Sequence, residues 1–386
     1  VICGVLLSTA FQAKALTIPE LVSAIKAHHP QILSAQAARE QAELEQLKAQ
    51  GEFDMRLEQK THFRTSGYYH GRHLTQSITK PLHIAGAELT GKYRISDGNF
   101  PIYENYFNTQ TGGEASLGVK FSLLKNHETD ARRTQLANSQ FLQRIGLSEE
   151  KQKQQKLLYQ GIDAYLNWVE SHAQVEILSE LVSLAQTRRE GIETRVNSGD
   201  LATISLSEFE TTLISRQIAL NQAQQRLASA KIYLGYYWRD HSSTHAQSPI
   251  PQAPPSDIQW PFSVPVESSN FMTQWVDQHP KVKALNAKLL MAKNQSRLAK
   301  NQFLPKLDVE LKLARDIGTG SQSLAGTESY VGLHFSVPLE RRAAIAKKAQ
   351  TSAKIKELTY EKQAIEEQLA LDFKAHIQQL FNLKKL

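Results

Sequence analysis

The sequence is poor in cysteine, in aromatic residues and in long apolar runs. Cys3 is the single cysteine among 386 residues, so a disulfide bond within the chain is excluded in any compartment. Aromatic residues make up 8%, while Ala, Gln, Leu, Lys and Glu fill long stretches, a bias typical of coiled coils. No segment after the first fifteen residues has the ~18 consecutive apolar residues of a membrane-spanning helix.

The chain also lacks the short motifs of common enzymes. It has no phosphate-binding loop, dinucleotide glycine motif, nucleophile elbow or zinc-protease motif, so we expect no catalysis, no cofactor and no bound metal. His62, His70, His73 and His83 lie close together in the sequence. Metal binding or proton sensing is one interpretation of this group, but the absence of metal-ligand spacing favours ordinary polar residues of strands and loops.

The net charge of +7 is modest and dispersed along the chain. Nucleic-acid-binding domains concentrate Lys and Arg in a stripe with interleaved aromatic residues, and no such stripe is present here. We therefore expect no nucleic-acid partner.

The first fifteen residues, VICGVLLSTAFQAKA, form a short apolar run that ends in small residues at Ala13 and Ala15. This pattern predicts a secretory signal peptide over residues 1–15, without its basic start and cleaved near Ala15. Cys3 precedes the apolar run, whereas the cysteine of a lipid anchor follows one. We therefore expect a secreted mature chain without a thiol.

An internal repeat organises the rest of the chain. HHPQILSAQAAREQAELEQLKAQGEFDMRLE at 28–58 aligns with QHPKVKALNAKLLMAKNQSRLAKNQFLPKLD at 278–308, without a gap and at a shift of 250 residues. LGVKFSLLKNHETDARR at 117–133 resembles VGLHFSVPLERRAA at 331–344 at a shift of 214 residues. The first copy thus carries 36 more residues between its outer strands than the second copy does.

Alternating charge predicts amphipathic strands in both copies. In FDMRLEQKTHFR, 53–64, every second residue from Asp54 is ionisable and the others are apolar or mildly polar, which is the period of a strand with two unlike faces. In the second copy, Asp308, Glu310 and Lys312 alternate with apolar residues in the same way. The extra residues of the first copy, HLTQSITKPLHIAGAELTGKYRIS, predict an additional hairpin.

Two long helices follow the strands of the first copy. From about Glu128 to Val196 no proline or turn cluster occurs, and apolar residues recur at spacings of three and four. Such a run would extend about 100 Å and calls for a coiled-coil partner. NSGD at 197–200 ends it, and a returning helix of ~34 residues predicts a long antiparallel pair.

These features divide the chain into two copies and a linker. We predict the first copy at 16–235, with strands at about 52–124 and a helical hairpin at 128–235. A proline-rich linker at 236–270 separates it from the second copy at 271–386, which has strands at about 303–338 and a long helix cut short at Leu386.

The order of these pieces resembles the outer-membrane efflux protein family, the TolC-like exit ducts of tripartite efflux pumps and type I secretion systems. The pieces that carry the resemblance are LTIPELVSAIKAHHPQI, FLPKLDVEL, FSVPLERRAA and RVNSGDLATISLSEFE. The resemblance covers nearly the whole predicted mature chain and rests on the duplicated order rather than on any single piece.

The resemblance implies an α+β membrane protein of the cell outer membrane that extends into the periplasm. In such a homotrimer the strands contribute to one shared transmembrane β-barrel, and long antiparallel coiled-coil helices form an α-helical barrel. It implies passive export of small molecules or polypeptides, with outer-membrane lipid, a periplasmic adaptor and an inner-membrane pump as partners. The first copy's additional hairpin would give six strands per protomer where the family usually has four, either widening the barrel or lying outside it.

The resemblance also implies two sets of functional residues. The adaptor would contact the helix tip, at Arg195, Asn197, Ser198, Gly199, Asp200 and Leu201. Family members often have an aspartate at the position of Ser205, so this chain departs from the family pattern at the adaptor contact. A second tip, which bears the gate residues of the family, is expected beyond Leu386. The charged strand residues would face the lumen, namely Asp54, Arg56, Glu58, Lys60, Asp308, Glu310 and Lys312.

A different class of protein also fits the helices and strands. A periplasmic coiled-coil scaffold with a soluble β-sheet would have the same heptad-like stripes and the same alternation of polar and apolar strand residues. The two hypotheses differ in whether the apolar face of the sheet meets lipid.

Overall fold

The computed structural model describes residues 16–239, 250–255, 257 and 269–383. The predicted signal peptide and most of the predicted linker lie outside the described residues. The chain divides into two compact units, one containing Val1–Ala37 and Glu150–Val266 and the other Ala38–Glu149 and Glu267–Leu386. These units do not coincide with the sequence copies, because strands from both copies pair in one sheet of the second unit.

Two helices open the described chain, α1 at Ile18–His28 and α2 at Pro30–Gly51. Thr17 and Glu20 form a reciprocal capping box at the start of α1, which satisfies backbone N–H groups that a helix leaves free. His29 is extended and ends α1. Its Nδ1 then accepts a hydrogen bond from the Gln31 backbone N–H at 3.2 Å, so one residue ends the first helix and caps the second.

The long helices of the first copy are α3 at Ala131–Asn197 and α4 at Thr203–Tyr237. The predicted start near Glu128 moves to Ala131 because the Asp130 carboxylate accepts a hydrogen bond from the Arg133 backbone N–H at 2.8 Å and so caps α3. The Arg216 guanidinium reaches the Leu181 carbonyl at 3.3 Å. Residues with lower numbers in α3 contact residues with higher numbers in α4, so the two helices are antiparallel, as predicted.

The first unit has its main core where α1, α3 and α4 meet. The Tyr165 hydroxyl, buried in this core, donates a hydrogen bond to the Leu16 backbone carbonyl at 3.0 Å. Burial of these side chains removes apolar surface from water and is the main stabilising contribution here. The core consists of Leu16, Ile18, Leu21, Ile25, Ile32, Leu157, Tyr165, Trp168 and Leu234.

The second copy contributes α5 at Ser269–Gln278, α6 at Pro280–Asn301 and α7 at Arg342–Leu383. Like α2, α6 has 22 residues and begins at a proline after a histidine. Leu285, Ala292 and Leu358 form the buried contact between α6 and α7. None of the helices within the described ranges is both long enough and apolar enough to cross a membrane.

The six strands found among the described residues form one antiparallel sheet of the second unit, in sequence order. Its members are β1 at Arg56–Phe63, β2 at Gly71–Pro81, β3 at Glu88–Gly98, β4 at Glu114–Ser122, β5 at Lys306–Asp316 and β6 at Thr327–Ser336. β1 and β5 start 250 residues apart, and β4 and β6 end 214 residues apart. The outer strands are therefore the duplicated pair, and the additional β2–β3 hairpin lies inside the sheet, between β1 and β4.

Candidate functional site

The sheet has one charged face, set by the pairing register. Lys60 lies beside Thr75, Thr75 beside Arg94 and Arg94 beside Glu114. Two rows further along the same face, Arg56 connects through β2, β3 and β4 to Lys312. Because residues paired across strands share a face, the structure brings six predicted residues to one face of the sheet, where Asp308 is buried and the others are accessible: Arg56, Glu58, Lys60, Asp308, Glu310 and Lys312.

Asp54 does not belong to this surface, contrary to the predicted strand. The strand begins at Arg56, because the backbone turns at residues 51–54, where the Phe53 and Asp54 N–H groups bond to the Gln50 and Gly51 carbonyls. Phe53 is buried and stacks on the His83 ring at 4.0 Å. The turn therefore anchors the start of the sheet and places Asp54 ahead of it.

Opposite charges neutralise each other across the charged face. Glu114 contacts the Arg94 guanidinium and lies 3.3 Å from Lys312 Nζ, while Glu88 pairs with Lys120 and Arg132, each at 2.9 Å. Within β1–β6 this face has seven basic and seven acidic residues, so it is polar without a net charge: Arg56, Lys60, Lys92, Arg94, Lys120, Lys306, Lys312, Glu58, Glu88, Glu114, Asp308, Glu310, Asp316 and Glu328.

The opposite face is apolar and exposed. Leu57 and Leu333 are each 73% exposed, and the same face carries Ile78, Leu89, Leu117, Leu311, Leu313, Val331 and Phe335. The polar Gln59 and Gln76 interrupt it, but they are register partners and bond to each other at 2.9 Å. A contiguous apolar surface of this size marks contact with lipid or with another protein.

The tip between α3 and α4 is a tight, exposed turn. The Asp200 N–H bonds to the Arg195 carbonyl at 2.9 Å and the Gly199 N–H to the Val196 carbonyl at 3.0 Å, the two bonds of a Schellman helix ending. Gly199 has a φ of +85°, which glycine adopts without strain. Of the predicted contact residues, Leu201 is partly buried, while Arg195, Asn197, Ser198, Gly199 and Asp200 are exposed.

Side chains below the tip hold the two helices together. The Arg189 guanidinium of α3 lies 2.8 Å from the Glu210 carboxylate of α4 and 3.0 Å from Glu193. The hydrogen bond to Glu210 and the charge of Glu193 raise the pKa of Arg189. Below this pair, Ala185 and Leu213 pack in a small apolar core. The tip is therefore presented by a fixed helical pair.

The histidines of the strand region form stacks. The His62 and His73 rings, paired across β1 and β2, stack with centroids 4.6 Å apart. His83 lies at the other end of the sheet against Phe53. Among the residues that the structure describes, no group of three or more His, Cys, Asp or Glu side chains could hold a metal ion.

Sequence reasoning missed an aromatic cluster in the loops at the sheet end remote from the helices. Tyr69 of the β1–β2 loop packs with Phe100 of the β3–β4 loop, and Phe107 of that loop stacks on His73 at 4.1 Å. The signal was present in NFPIYENYFN at 99–108, which is rich in aromatics within a chain that has only 8%.

The chain was also compared with known proteins. No protein-family model matches it, and no curated protein matches it by sequence. Solved structures do match. CusC, whose crystal structures describe transmembrane channel formation, is 14% identical with a TM-score of 0.61, over 95% of this chain and 77% of CusC. The CmeC outer membrane channel of Campylobacter jejuni is 12% identical with a TM-score of 0.59, over 90% of this chain and 67% of CmeC.

The outer membrane protein VceC of Vibrio cholerae is 13% identical with a TM-score of 0.58, over 91% of this chain and 75% of VceC. Identities this low establish the fold alone. The helices, the duplicated strands and the tip described above thus belong to the fold that CusC, CmeC and VceC share.

Proposed function

We propose that the protein is a passive channel of the outer membrane, extending into the periplasm, and that it catalyses no reaction. The observation that carries this proposal is the sheet with one charged and one apolar face. Its strands have 8 to 11 residues, and a tilted strand needs about 9–11 residues to cross the hydrocarbon core. The fold shared with CusC, CmeC and VceC supports the same assignment.

The sheet edges support assembly with further copies. Among the described residues, β1 and β6 pair with no strand on their outer sides. Backbone groups left unpaired in lipid cost several kcal/mol each, so a sheet in a membrane closes on itself. A homotrimer in which β1 of one copy pairs with β6 of the next would close the barrel, with the apolar face toward lipid and the charged face toward water.

The proposed partners are a periplasmic adaptor and an inner-membrane pump. The tip at Arg195, Asn197, Ser198, Gly199, Asp200 and Leu201 is the adaptor contact in this proposal. Because Arg189 already ties α3 to α4 through Glu210, the tip needs little ordering when the adaptor binds, which lowers the cost of binding. The duct would serve a tripartite efflux pump or a type I secretion system. The balanced charges of the polar face suit small molecules or polypeptides of either sign.

Extraction of the full-length protein from cell envelopes tests the channel proposal. A barrel in lipid resists sodium carbonate and leaves the membrane only in detergent, as a trimer that survives mild denaturants. Release by carbonate as a monomer would refute the channel and favour the periplasmic scaffold with a soluble sheet, since neither lipid contact nor closure would then be needed.

Site-directed crosslinking tests the tip. A photoreactive residue at Ser198 or Asp200 is expected to capture the adaptor, whereas the same residue at the exposed Gln186, twelve residues or ~18 Å back along α3, should capture less. Equal capture at all three positions, or none while export proceeds, would contradict the tip assignment.

A further inference from the structure

The inserted β2–β3 hairpin has a consequence for the width of the proposed barrel. All six strands form one continuous antiparallel sheet, with the hairpin paired on both sides. Three copies would therefore close 18 strands. With strands about 4.8 Å apart and tilted by about 40°, the backbone diameter is about 35 Å, compared with about 24 Å for 12 strands. Barrels of this size hold an open aqueous channel.

The β3–β4 loop at 99–113 lies against the charged face of this sheet. Phe107 stacks on the His73 ring at 4.1 Å with 15° between the planes, and His73 belongs to the charged face through its pairing with His62 and Ser96. The Ser96 backbone N–H bonds to Thr109 Oγ1 at 3.1 Å. The loop therefore folds toward the side that the proposed channel assigns to the lumen.

Contacts with the β1–β2 loop fix the 99–113 loop in place. The Arg64 guanidinium lies 4.1 Å from the Tyr69 ring centroid and 3.4 Å from the Glu104 carboxylate, and the Tyr69 hydroxyl bonds to the same carboxylate. Gly98 has a φ of +130°, and an added Cβ would lie 2.4 Å from the His70 carbonyl. Such dense packing is typical of a loop with one defined conformation.

The middle of the loop is the 3-10 helix Ile102–Phe107. The contacts of Glu104 with Arg64 and of Phe107 with His73 hold this helix on the charged-face side of the sheet. Its remaining apolar side chains are exposed, with Ile102 96% exposed, Tyr103 60% and Tyr106 62%. Exposed apolar side chains on the lumen side of the proposed barrel form a surface that the loops of the other copies would cover.

From these observations we propose that the 99–113 loops of three copies converge and narrow the mouth of an 18-strand barrel at the end remote from the helices. The exposed side chains of one loop pack on the loops of the other copies. In this proposal the inserted hairpin increases the diameter of the barrel, and the loop limits the size of the molecules that can pass its mouth. This inference rests on the proposed channel function.

Size-graded labelling of intact cells tests the constriction. In a Cys3→Ser background of the full-length protein, Ser77→Cys places one thiol on the charged face in the middle of β2, and Gln76→Cys places one on the opposite face. Two reagents are added from outside, a small charged maleimide and a maleimide carrying a long polyethylene glycol chain.

With the loop intact, we expect the small reagent to label Ser77→Cys and the large reagent to react at least about tenfold more slowly. Deletion of residues 102–106 should raise the rate of the large reagent by about tenfold and leave the small reagent unchanged, since only a constriction separates them by size. Phe107→Ala, which removes the stack on His73 but retains the loop, should raise the rate in the same direction. Trimer migration checks assembly of each variant.

The outcomes separate the two proposals. If the large reagent labels Ser77→Cys as fast in the intact protein as in the loop variants, the constriction is refuted while the channel stands. If the small charged reagent labels Gln76→Cys as readily as Ser77→Cys, both faces of the sheet meet water. The charged face then does not line a channel, and the channel proposal itself is refuted.

Discussion

Gly199 at the tip allows a prediction whose sign depends only on the backbone. Gly199 has a φ of +85°, and an added Cβ would have no atom within 4 Å. Gly191, two turns earlier in α3, also has open space around an added Cβ, but its backbone is helical. Substitution of either glycine by alanine thus changes no contact, and the two variants form a matched pair.

The two substitutions should have opposite effects. An alanine held at positive φ costs about 1–2 kcal/mol, whereas alanine in place of glycine inside a helix stabilises it by about 0.5–1 kcal/mol. Because 1.4 kcal/mol corresponds to a factor of ten, we expect Gly199→Ala to increase local opening of the tip by about tenfold. Gly191→Ala should decrease it by about two- to fivefold.

Amide hydrogen exchange measures this local opening directly. Peptides that cover the end of α3 and the start of α4 should exchange faster in Gly199→Ala and more slowly in Gly191→Ala, while peptides from the α1, α3 and α4 core should not change. Slower exchange in both variants would mean that residue 199 adopts a helical backbone and that α3 continues through the tip, which would refute the turn described here.

Three further predictions concern the core, the pH dependence and the sheet. Tyr165→Phe leaves the buried Leu16 carbonyl without its hydrogen bond, and should lower the unfolding free energy by about 1–3 kcal/mol in thermal or denaturant melts. Burial, and secondarily the Arg239 charge, lowers the pKa of His29 below 6.5. As the pH falls below about 6.5, the unfolded chain therefore takes up a proton at this histidine more readily than the folded chain, and the free energy of unfolding should decrease. His29→Asn should flatten this pH dependence. Gln76→Lys, on the apolar face, should reduce barrel stability by up to about 2–4 kcal/mol, whereas Ser77→Lys on the charged face should be tolerated, as trimer melting in detergent would report.

Local sequence rules predicted the duplicated elements well because each contains its own signal. The proline after His29 and the proline after His279 start helices of equal length. Alternation of charge gave the strands, and NSGD at 197–200 gave the turn between the long helices. The face of the sheet that each strand residue occupies also follows from this alternation, since a slip of one residue would place charges among apolar side chains.

Features that depend on contacts between distant parts of the chain could not be predicted from local sequence patterns. The position of the β2–β3 hairpin inside the sheet follows from pairing between residues 88–94 and 114–120, which alternation alone does not specify. Asp54 satisfied the strand period, yet burial of Phe53 against His83 turns the chain before the strand begins. The aromatic loop cluster requires two loops, 64–70 and 99–113, to meet in space.

A cysteine scan along β5 tests the central claim, that the charged face meets water and the apolar face meets lipid. The scan uses full-length protein in native outer membranes, with Cys3 replaced by serine, and a charged, membrane-impermeant maleimide. We expect labelling with a period of two: rapid at Glu310 and Lys312, and protected at Val309, Leu311 and Leu313 until detergent is added. Equal labelling of all five positions without detergent would show that both faces meet water and would contradict the channel.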